Sequence, residues 1–270
     1  MNPVQKISAF QQSGEEWREV EDDLVVEEPL EIRVNGRPFS ATMRTPQGEE
    51  NDRLLALGLI LSEGIIEDYA DVVRVDVRTR CRDLDESLVN VADVVLAEEP
   101  DISSDKWRRS LISNSSCGLC GHASVEALSS QTQPLVPSAI NVELLKNLPS
   151  QMRERQVLFS QTGGLHAAAI FDVAGKMLAC FEDIGRHNAT DRAVGFCLQN
   201  ELLGNSGLIL LVSGRASFEI VQKALRARIG TVVAVSAASS LAVELARKNG
   251  LNLVGFLRER GMTVYCGSVK

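Results

Sequence analysis

Ser115-Ser116-Cys117-Gly118-Leu119-Cys120-Gly121-His122 holds the sharpest chemistry in the chain. Two thiols three positions apart, set among glycines, can approach each other on a bendable loop. A helix beginning near Cys120 would turn its positive N-terminal end toward them, lowering a thiol pKa and favouring thiolate. A protonated His122 adds to that effect. Thiolate is the species that attacks a sulfur donor, and a neighbouring thiol can resolve or release what it holds. Three plainer readings compete. A structural zinc takes four ligands, but there is no second Cys-x-x-Cys, and the three histidines form no paired ligand set. A thioredoxin-type dithiol follows a strand and an aromatic residue, whereas here a polar serine run comes first. The third is a pair with no function at all.

Other segments gather polar side chains where elements meet. In Gln161-Thr162-Gly163-Gly164-Leu165-His166, paired glycines ahead of a strand let backbone approach a ligand closely; His166 reads equally as a satisfied core residue. Glu182-Asp183-Ile184-Gly185-Arg186-His187-Asn188-Ala189-Thr190-Asp191-Arg192 places an acid, a histidine and an arginine in one turn. That set suits general acid–base work or anion binding, with Asn188 or Thr190 as the helix cap; a solvated, self-paired loop is the alternative. Val212-Ser213-Gly214-Arg215-Ala216-Ser217 joins a strand to a helix. Backbone N–H groups at the helix start, the Ser213 and Ser217 hydroxyls and Arg215 make an anion cradle. Ser236-Ala237-Ala238-Ser239-Ser240 is a similar turn. Neither fits a P-loop or a dinucleotide fingerprint, so an ATPase or nicotinamide enzyme is not indicated; tight-turn chemistry also accounts for the small residues. In Phe256-Leu257-Arg258-Glu259-Arg260-Gly261, Arg258 and Arg260 suit phosphate and Phe256 suits stacking on a base. The competing reading is a charged hairpin turn with Phe256 in the core.

The elements that must position these residues form an α/β chain with two units. Residues 1–23 are polar and acidic and read as a loose lead-in. Residues 24–97 read as a small α+β domain: a strand over Leu24–Val34, the Asn35-Gly36 turn, a returning strand, a helix over Glu49–Leu61 ended by Gly64, and two alternating strands. Residues 98–130 form a polar connection carrying the cysteine pair. Residues 131–270 read as an α/β domain. Three prolines and a short helix near Val142–Leu148 lead into two strands around Val173-Ala174-Gly175, a helix over Asn188–Leu203, and then alternating strand and helix from Leu208 to Phe256. Consecutive β-α-β units imply a parallel sheet, with a final strand at Met262–Cys266.

Composition bounds the rest. The 270 residues carry 28 basic and 36 acidic side chains, a formal charge of −8. At about 150 residues per domain this is one large domain or two small ones. Intrinsic disorder and a disulfide-framed mini-protein are excluded, and a general nucleic-acid binder is disfavoured. An anionic small molecule at a local arginine cluster is compatible. The longest apolar stretch, Leu54–Leu61, falls far short of the roughly 20 residues of a membrane helix, and Met1–Phe10 lacks a signal-peptide apolar run. Four of the six cysteines stand alone, which fits free thiols in a reducing cytoplasm.

Taken in order, these segments resemble the formate dehydrogenase accessory sulfurtransferase family, FdhD. The matching pieces are Ser-Ser-Cys-Gly-Leu-Cys-Gly, Thr-Gly-Gly-Leu-His, Glu-Asp-Ile-Gly-Arg-His-Asn-Ala-Thr-Asp, Ser-Gly-Arg-Ala-Ser, Ser-Ala-Ala-Ser-Ser and Gly-Phe-Leu-Arg-Glu-Arg-Gly, with Arg44-Thr45-Pro46 and Ser62-Glu63-Gly64-Ile65-Ile66 upstream. The resemblance implies a sulfurtransferase that takes persulfide sulfur from a cysteine desulfurase. It passes the sulfur to the molybdenum cofactor in its bis-guanine-dinucleotide form, for the formate dehydrogenase catalytic subunit. It implies that Cys117 carries the persulfide with Cys120 as partner. Phe256, Leu257, Arg258, Glu259, Arg260 and Gly261 match a cofactor-binding segment, beside which Ser213, Gly214, Arg215 and His187 are expected to contribute. A C-terminal domain like the cytidine deaminase fold and a homodimer are also implied, without a dimer surface. The cofactor is a bound substrate, and no resident metal, nucleic acid or membrane contact is expected. The deaminase zinc signature is missing, so deamination is not carried over. A pterin-cofactor chaperone without sulfur chemistry, for which Arg258 matters and Cys117 does not, and a zinc-stabilised interaction module are the rivals.

Overall fold

The computed structural model describes residues 2–78, 90–100, 134–136 and 139–270. Cys117 and Cys120, with residues 101–130 of the connection that carries them, lie outside the described residues. The chain begins with an antiparallel hairpin, β1 (Val4–Ser13) and β2 (Glu16–Val25), registered from Val4 opposite Val25 to Ser13 opposite Glu16. This replaces the loose lead-in expected for residues 1–23. The composition hides it because the hairpin buries almost nothing: Phe10 and Trp17 stay exposed. Its definition comes from the backbone ladder and a turn at Gly14, φ 64°. The strand read over Leu24–Val34 is two strands. Val26 N–H donates to Pro3 O at 2.8 Å, closing the hairpin, before the next sheet starts.

That sheet has the order β4-β3-β6-β5, from β3 (Glu28–Val34), β4 (Arg37–Arg44), β5 (Val72–Arg78) and β6 (Asn90–Leu96). Asn35 (φ 49°) and Gly36 (φ 75°) make the expected left-handed pair between β3 and β4. Helix α1 (Glu49–Ser62) lies on this sheet through Leu57, Ile60 and Leu61.

The larger sheet has the order β12-β11-β10-β9-β7-β8. Its strands are β7 (His166–Phe171), β8 (Met177–Asp183), β9 (Ile209–Val212), β10 (Thr231–Ala234), β11 (Asn252–Arg258) and β12 (Gly261–Cys266). The β-α-β alternation correctly implies parallel pairing for β9, β10 and β11. The sheet is nevertheless mixed, because β7 runs against both β8 and β9, and β12 against β11. Helices α2 (Val142–Lys146), α3 (Leu148–Arg155) and α4 (Val157–Thr162) precede β7. The last two are unexpected from the sequence. Pro149 sits in the first turn of α3, where a missing N–H costs no hydrogen bond.

Strand alternation gives the sheet two apolar faces. Ala168, Ile170, Leu210, Val232 and Leu253 face a core shared with α5 (Arg186–Gln199), α6 (Phe218–Arg226) and α7 (Ser240–Lys248). Ala169, Phe171, Leu211, Val233 and Val254 face Leu145, Leu148 and Met152 of α2 and α3. The first core continues without a break into the smaller sheet through Leu30, Ile32, Leu57 and Ile60. Helices α1 and α5 cross where both lack side chains: a Cβ on Gly58 would lie 1.8 Å from Asp191 O, and one on Gly195 would lie 2.0 Å from Leu54 O. No helix among the described residues is long and apolar enough to cross a membrane.

Gly195→Ala therefore forces the two helices apart. It is expected to lower unfolding stability by about 3 kcal/mol, the upper end for overpacking, read as a drop in the urea midpoint; an unchanged midpoint would contradict the crossing.

Candidate functional site

The motif from Glu182 to Arg192 divides its side chains between two tasks, and most turn inward. Arg192 is fully buried and pairs with Asp183 Oδ2 at 2.8 Å. It also donates to the backbone oxygens of Glu182 and Thr45. Asp183 Oδ1 accepts from Gly185 N–H (2.8 Å) and Asn188 Nδ2 (2.9 Å), while Oδ2 accepts from Thr45 N–H (3.2 Å). Asn188 Nδ2 reaches Met43 O at 2.7 Å, and Thr42 Oγ1 donates to Asn188 Oδ1 at 3.0 Å. Neither Asn188 nor Thr190 caps α5; Gly185 holds the cap position, because Asn188 is committed to Asp183 and β4. Beside this clamp Arg44 forms a buried two-point pair with Asp52 at 2.8 and 2.9 Å. Arg44-Thr45-Pro46 and the Glu182–Arg192 motif are thus two halves of one joint between the sheets. Glu182 has another structural duty: its carboxylate accepts from Leu158 and Phe159 N–H at 3.0 and 2.7 Å, capping α4.

Only Arg186 and His187 of that motif turn toward the carboxyl edge of the large sheet, where the expected binding segments meet. Ser213 exchanges hydrogen bonds with Ala167: its N–H donates to Ala167 O and its Oγ accepts from Ala167 N–H, both at 2.9 Å. Ala216 N–H donates to Ala237 O and Ser239 N–H to Ala216 O, both at 3.0 Å, and Phe256 N–H donates to Ser236 O at 2.9 Å. These bonds prolong the sheet beyond its strands and bring the turns after β9, β10 and β11 side by side. His166 joins them, since a Cβ on Gly214 would lie 3.4 Å from its Nδ1 and 3.7 Å from Arg186 Cδ. Of the two serine turns, only Ser239 caps its helix, accepting from Ala242 N–H at 3.2 Å.

Within the last segment the residues diverge. Phe256 is 47% exposed and sits at φ 52°, a left-handed conformation that aromatic residues rarely adopt. The core reading of Phe256 is thereby overturned. Leu257 is fully buried on the α2–α3 face, so its side chain belongs to the core. Arg258 donates to Val235 O and Leu257 O, tying β11 to the turn after β10 while its charge stays exposed. Arg215, Glu259 and Arg260 are exposed.

Sequence reading missed two contributors, Glu219 and Lys223 on α6. His187 and Asp191 are four apart on α5, and Glu219 and Lys223 four apart on α6, so each pair shares a helix face. Lys223 Nζ meets Asp191 Oδ1 at 2.7 Å, where Ser62 Oγ also donates at 3.1 Å. His187 Nε2 lies 3.9 Å from Glu219 Oε2. Spacing on α6 was the available signal, but nothing in the sequence said that this face would meet α5. Burial, with Lys223 and Arg186 adding repulsion, pushes the His187 imidazole down to about 4. Burial and the neighbouring Arg186 and Arg215 lower His166 as well. Both imidazoles are therefore neutral at ordinary pH, and the positive charge of the edge rests on its arginines. The arrangement suits an anion at the carboxyl ends of the strands.

The remaining described cysteines are unsuited to nucleophilic work. Burial pushes the thiols of Cys180 and Cys197 up to about 12, and Cys266 is also raised by burial.

A cationic edge on a mixed α/β sheet defines the class; the chain belongs to the FdhD/NarQ family, whose model matches residues 25–270. It is 46% identical over 251 residues to the sulfur carrier protein FdhD of Streptomyces coelicolor, covering 92% of this chain and 88% of that one. The sulfur carrier protein FdhD of Mycobacterium tuberculosis is 46% identical over 253 residues, 90% of each chain. A crystal structure from Desulfotalea psychrophila, named among formate dehydrogenase accessory proteins, shares the fold with a TM-score of 0.76 over 98% of both chains at 19% identity.

His187 gives the site a pH signature. In the folded protein its imidazole stays neutral down to about 4, whereas in the unfolded chain it takes a proton near about 6.5. Its contribution to stability is complete above the unfolded value and is lost as pH falls toward the folded one. His187→Gln should flatten the decline in urea midpoint across that window relative to the parent protein; a His187 resonance titrating at the ordinary histidine value would contradict the buried, charge-flanked placement.

Proposed function

We propose that this chain is a sulfur carrier in formate dehydrogenase maturation, working in the cytoplasm with Cys117 as its persulfide residue. The observation that carries the reading is the match to sulfur carrier proteins over about nine-tenths of the chain. In the loading step, the Cys117 thiolate attacks the terminal sulfur of a cysteine desulfurase persulfide. A new S–S bond forms on Cys117, the donor's S–S bond breaks, and the donor cysteine leaves as thiolate. Cys120 is the neighbouring thiol that resolves or releases the cargo. The elevated thiols of Cys180 and Cys197 support assigning the reactive pair to Cys117 and Cys120.

The acceptor in this reading is the molybdenum cofactor in its bis-guanine-dinucleotide form, bound as substrate before it passes to the formate dehydrogenase catalytic subunit. The cationic edge fits such a polyanion. Arg215, Arg258 and Arg260 face its phosphates, and the backbone of Ser213, Gly214, Leu257, Glu259 and Gly261 lets the ligand approach. Phe256 offers a ring to a base, and neutral His187 offers a hydrogen bond without adding charge. A large anion with planar bases is held by these means.

Incubation with a cysteine desulfurase and cysteine should add the mass of one sulfur atom to the peptide holding Cys117 and Cys120. Cys117→Ala should abolish both that mass gain and restoration of formate dehydrogenase activity. Cofactor sulfuration persisting in Cys117→Ala would refute the carrier role.

A further inference from the structure

One acid stands in the cationic edge without a charged partner. Glu219 lies in the first turn of α6, four residues before Lys223, the spacing of an ordinary helical ion pair. Lys223 turns instead to Asp191, at 2.7 Å. Among the described residues no lysine or arginine forms an ion pair with Glu219. Its Oε2 lies 3.9 Å from His187 Nε2, beyond hydrogen-bond reach. Burial pushes the Glu219 carboxyl up, but Ser217, its own N–H, His187 and Arg186 outweigh that and hold it below the ordinary carboxylate value. It is therefore ionised at ordinary pH, and its side chain is 26% exposed. Among the described residues, Arg186 Nε and His187 Nε2 are buried and meet no hydrogen-bond partner.

A fixed negative charge repels the phosphates that the neighbouring arginines suit. A site for an anion tolerates such a charge where it meets a part of the ligand that is neutral and donates hydrogen bonds. In guanine and in a pterin alike, that part is the 2-amino-4-oxopyrimidine ring, whose ring N–H and exocyclic NH2 point the same way. Two carboxylate oxygens accept both in parallel, as they do from a guanidinium. The ring carbonyl beside that N–H is an acceptor, and the unmatched Nε–H of Arg186, near the carboxylate, is a donor suited to it. Adenine offers no such pair of donors. An acid that only favours the start of a helix has no preference among rings.

We infer that Glu219 is the specificity-determining residue of the edge: its carboxylate accepts from the N–H and NH2 of a 2-amino-4-oxopyrimidine ring, supplied by the guanine or the pterin of the bound cofactor. This role rests on the edge being the cofactor site.

Nucleotides that differ only at the ring test it. Full-length protein is titrated by calorimetry with GDP, with inosine diphosphate, which lacks the amine, and with xanthosine diphosphate, which carries a carbonyl in its place. GDP should bind at least about tenfold more tightly than either, the worth of a hydrogen bond to a charged group. Glu219→Gln places an amide NH2 where a carboxylate oxygen stood, so it should reverse the order and bind xanthosine diphosphate more tightly than GDP. A variant that is merely less stable weakens all three alike, and circular dichroism verifies folding. A second arm uses neopterin, a 2-amino-4-oxopteridine. If Glu219→Gln leaves the nucleotide order unchanged but weakens neopterin at least about tenfold, Glu219 reads the pterin. Nucleotide and neopterin affinities that are both indifferent to Glu219→Gln would overturn the role of Glu219 and leave the cofactor site standing. Binding of none of these ligands would overturn both, while persulfide formation on Cys117 reads the carrier step separately.

Discussion

Arg192 has no solvent to balance its charge, so its position is set by the oxygens that surround it: the Asp183 carboxylate and the carbonyls of Glu182 and Thr45. Asp183 in turn is fixed by Gly185, Asn188 and Thr45. Removing one member of a buried pair strands the other, at a cost of about 3–5 kcal/mol. The end of β4 and the start of α5 are therefore locked together. Since α5 begins at Arg186, this joint fixes where Arg186 and His187 emerge. The glycine crossing of α1 with α5 lets the helices sit close enough for the joint to close.

Function and architecture are interleaved residue by residue in this arrangement. In the run from Glu182 to Arg192, the acids that look suited to proton transfer are structural: Asp183 and Asp191 have buried cationic partners, and Glu182 caps a helix. What remains for a ligand is a cationic rim supplied mostly by backbone turns and arginines. Lys223 stands behind that rim and helps to hold His187 neutral. A chain with a formal charge of −8 thus concentrates positive charge at one sheet edge, where local potential rather than net charge governs binding.

Much of this was legible in the residues. Apolar runs gave β9, β10 and β11, and Asn35-Gly36 gave the β3–β4 turn, because these signals are local. The alternation of small and polar residues after each strand correctly marked the turns that meet at the edge. Three things were not legible. The N-terminal hairpin has no buried face to write an apolar period into its sequence. Helix α3 hides behind a proline that is permitted only at a helix start. The division of the Glu182–Arg192 motif depends on β4 arriving against α5, a contact between segments about 140 residues apart, which no local pattern encodes.

The ligand proposed for the cationic edge beside the joint is a guanine nucleotide. Titration of isotope-labelled full-length protein with GDP, followed by amide and histidine NMR shifts, tests it most directly. Saturable shifts are expected at His187, Ser213–Ser217 and Phe256–Gly261, weakened in Arg215→Glu/Arg260→Glu. Absence of shifts at that edge, or saturable shifts confined to the residues around Asn147 and Gly175 at the other end of the β7–β8 pair, would contradict it.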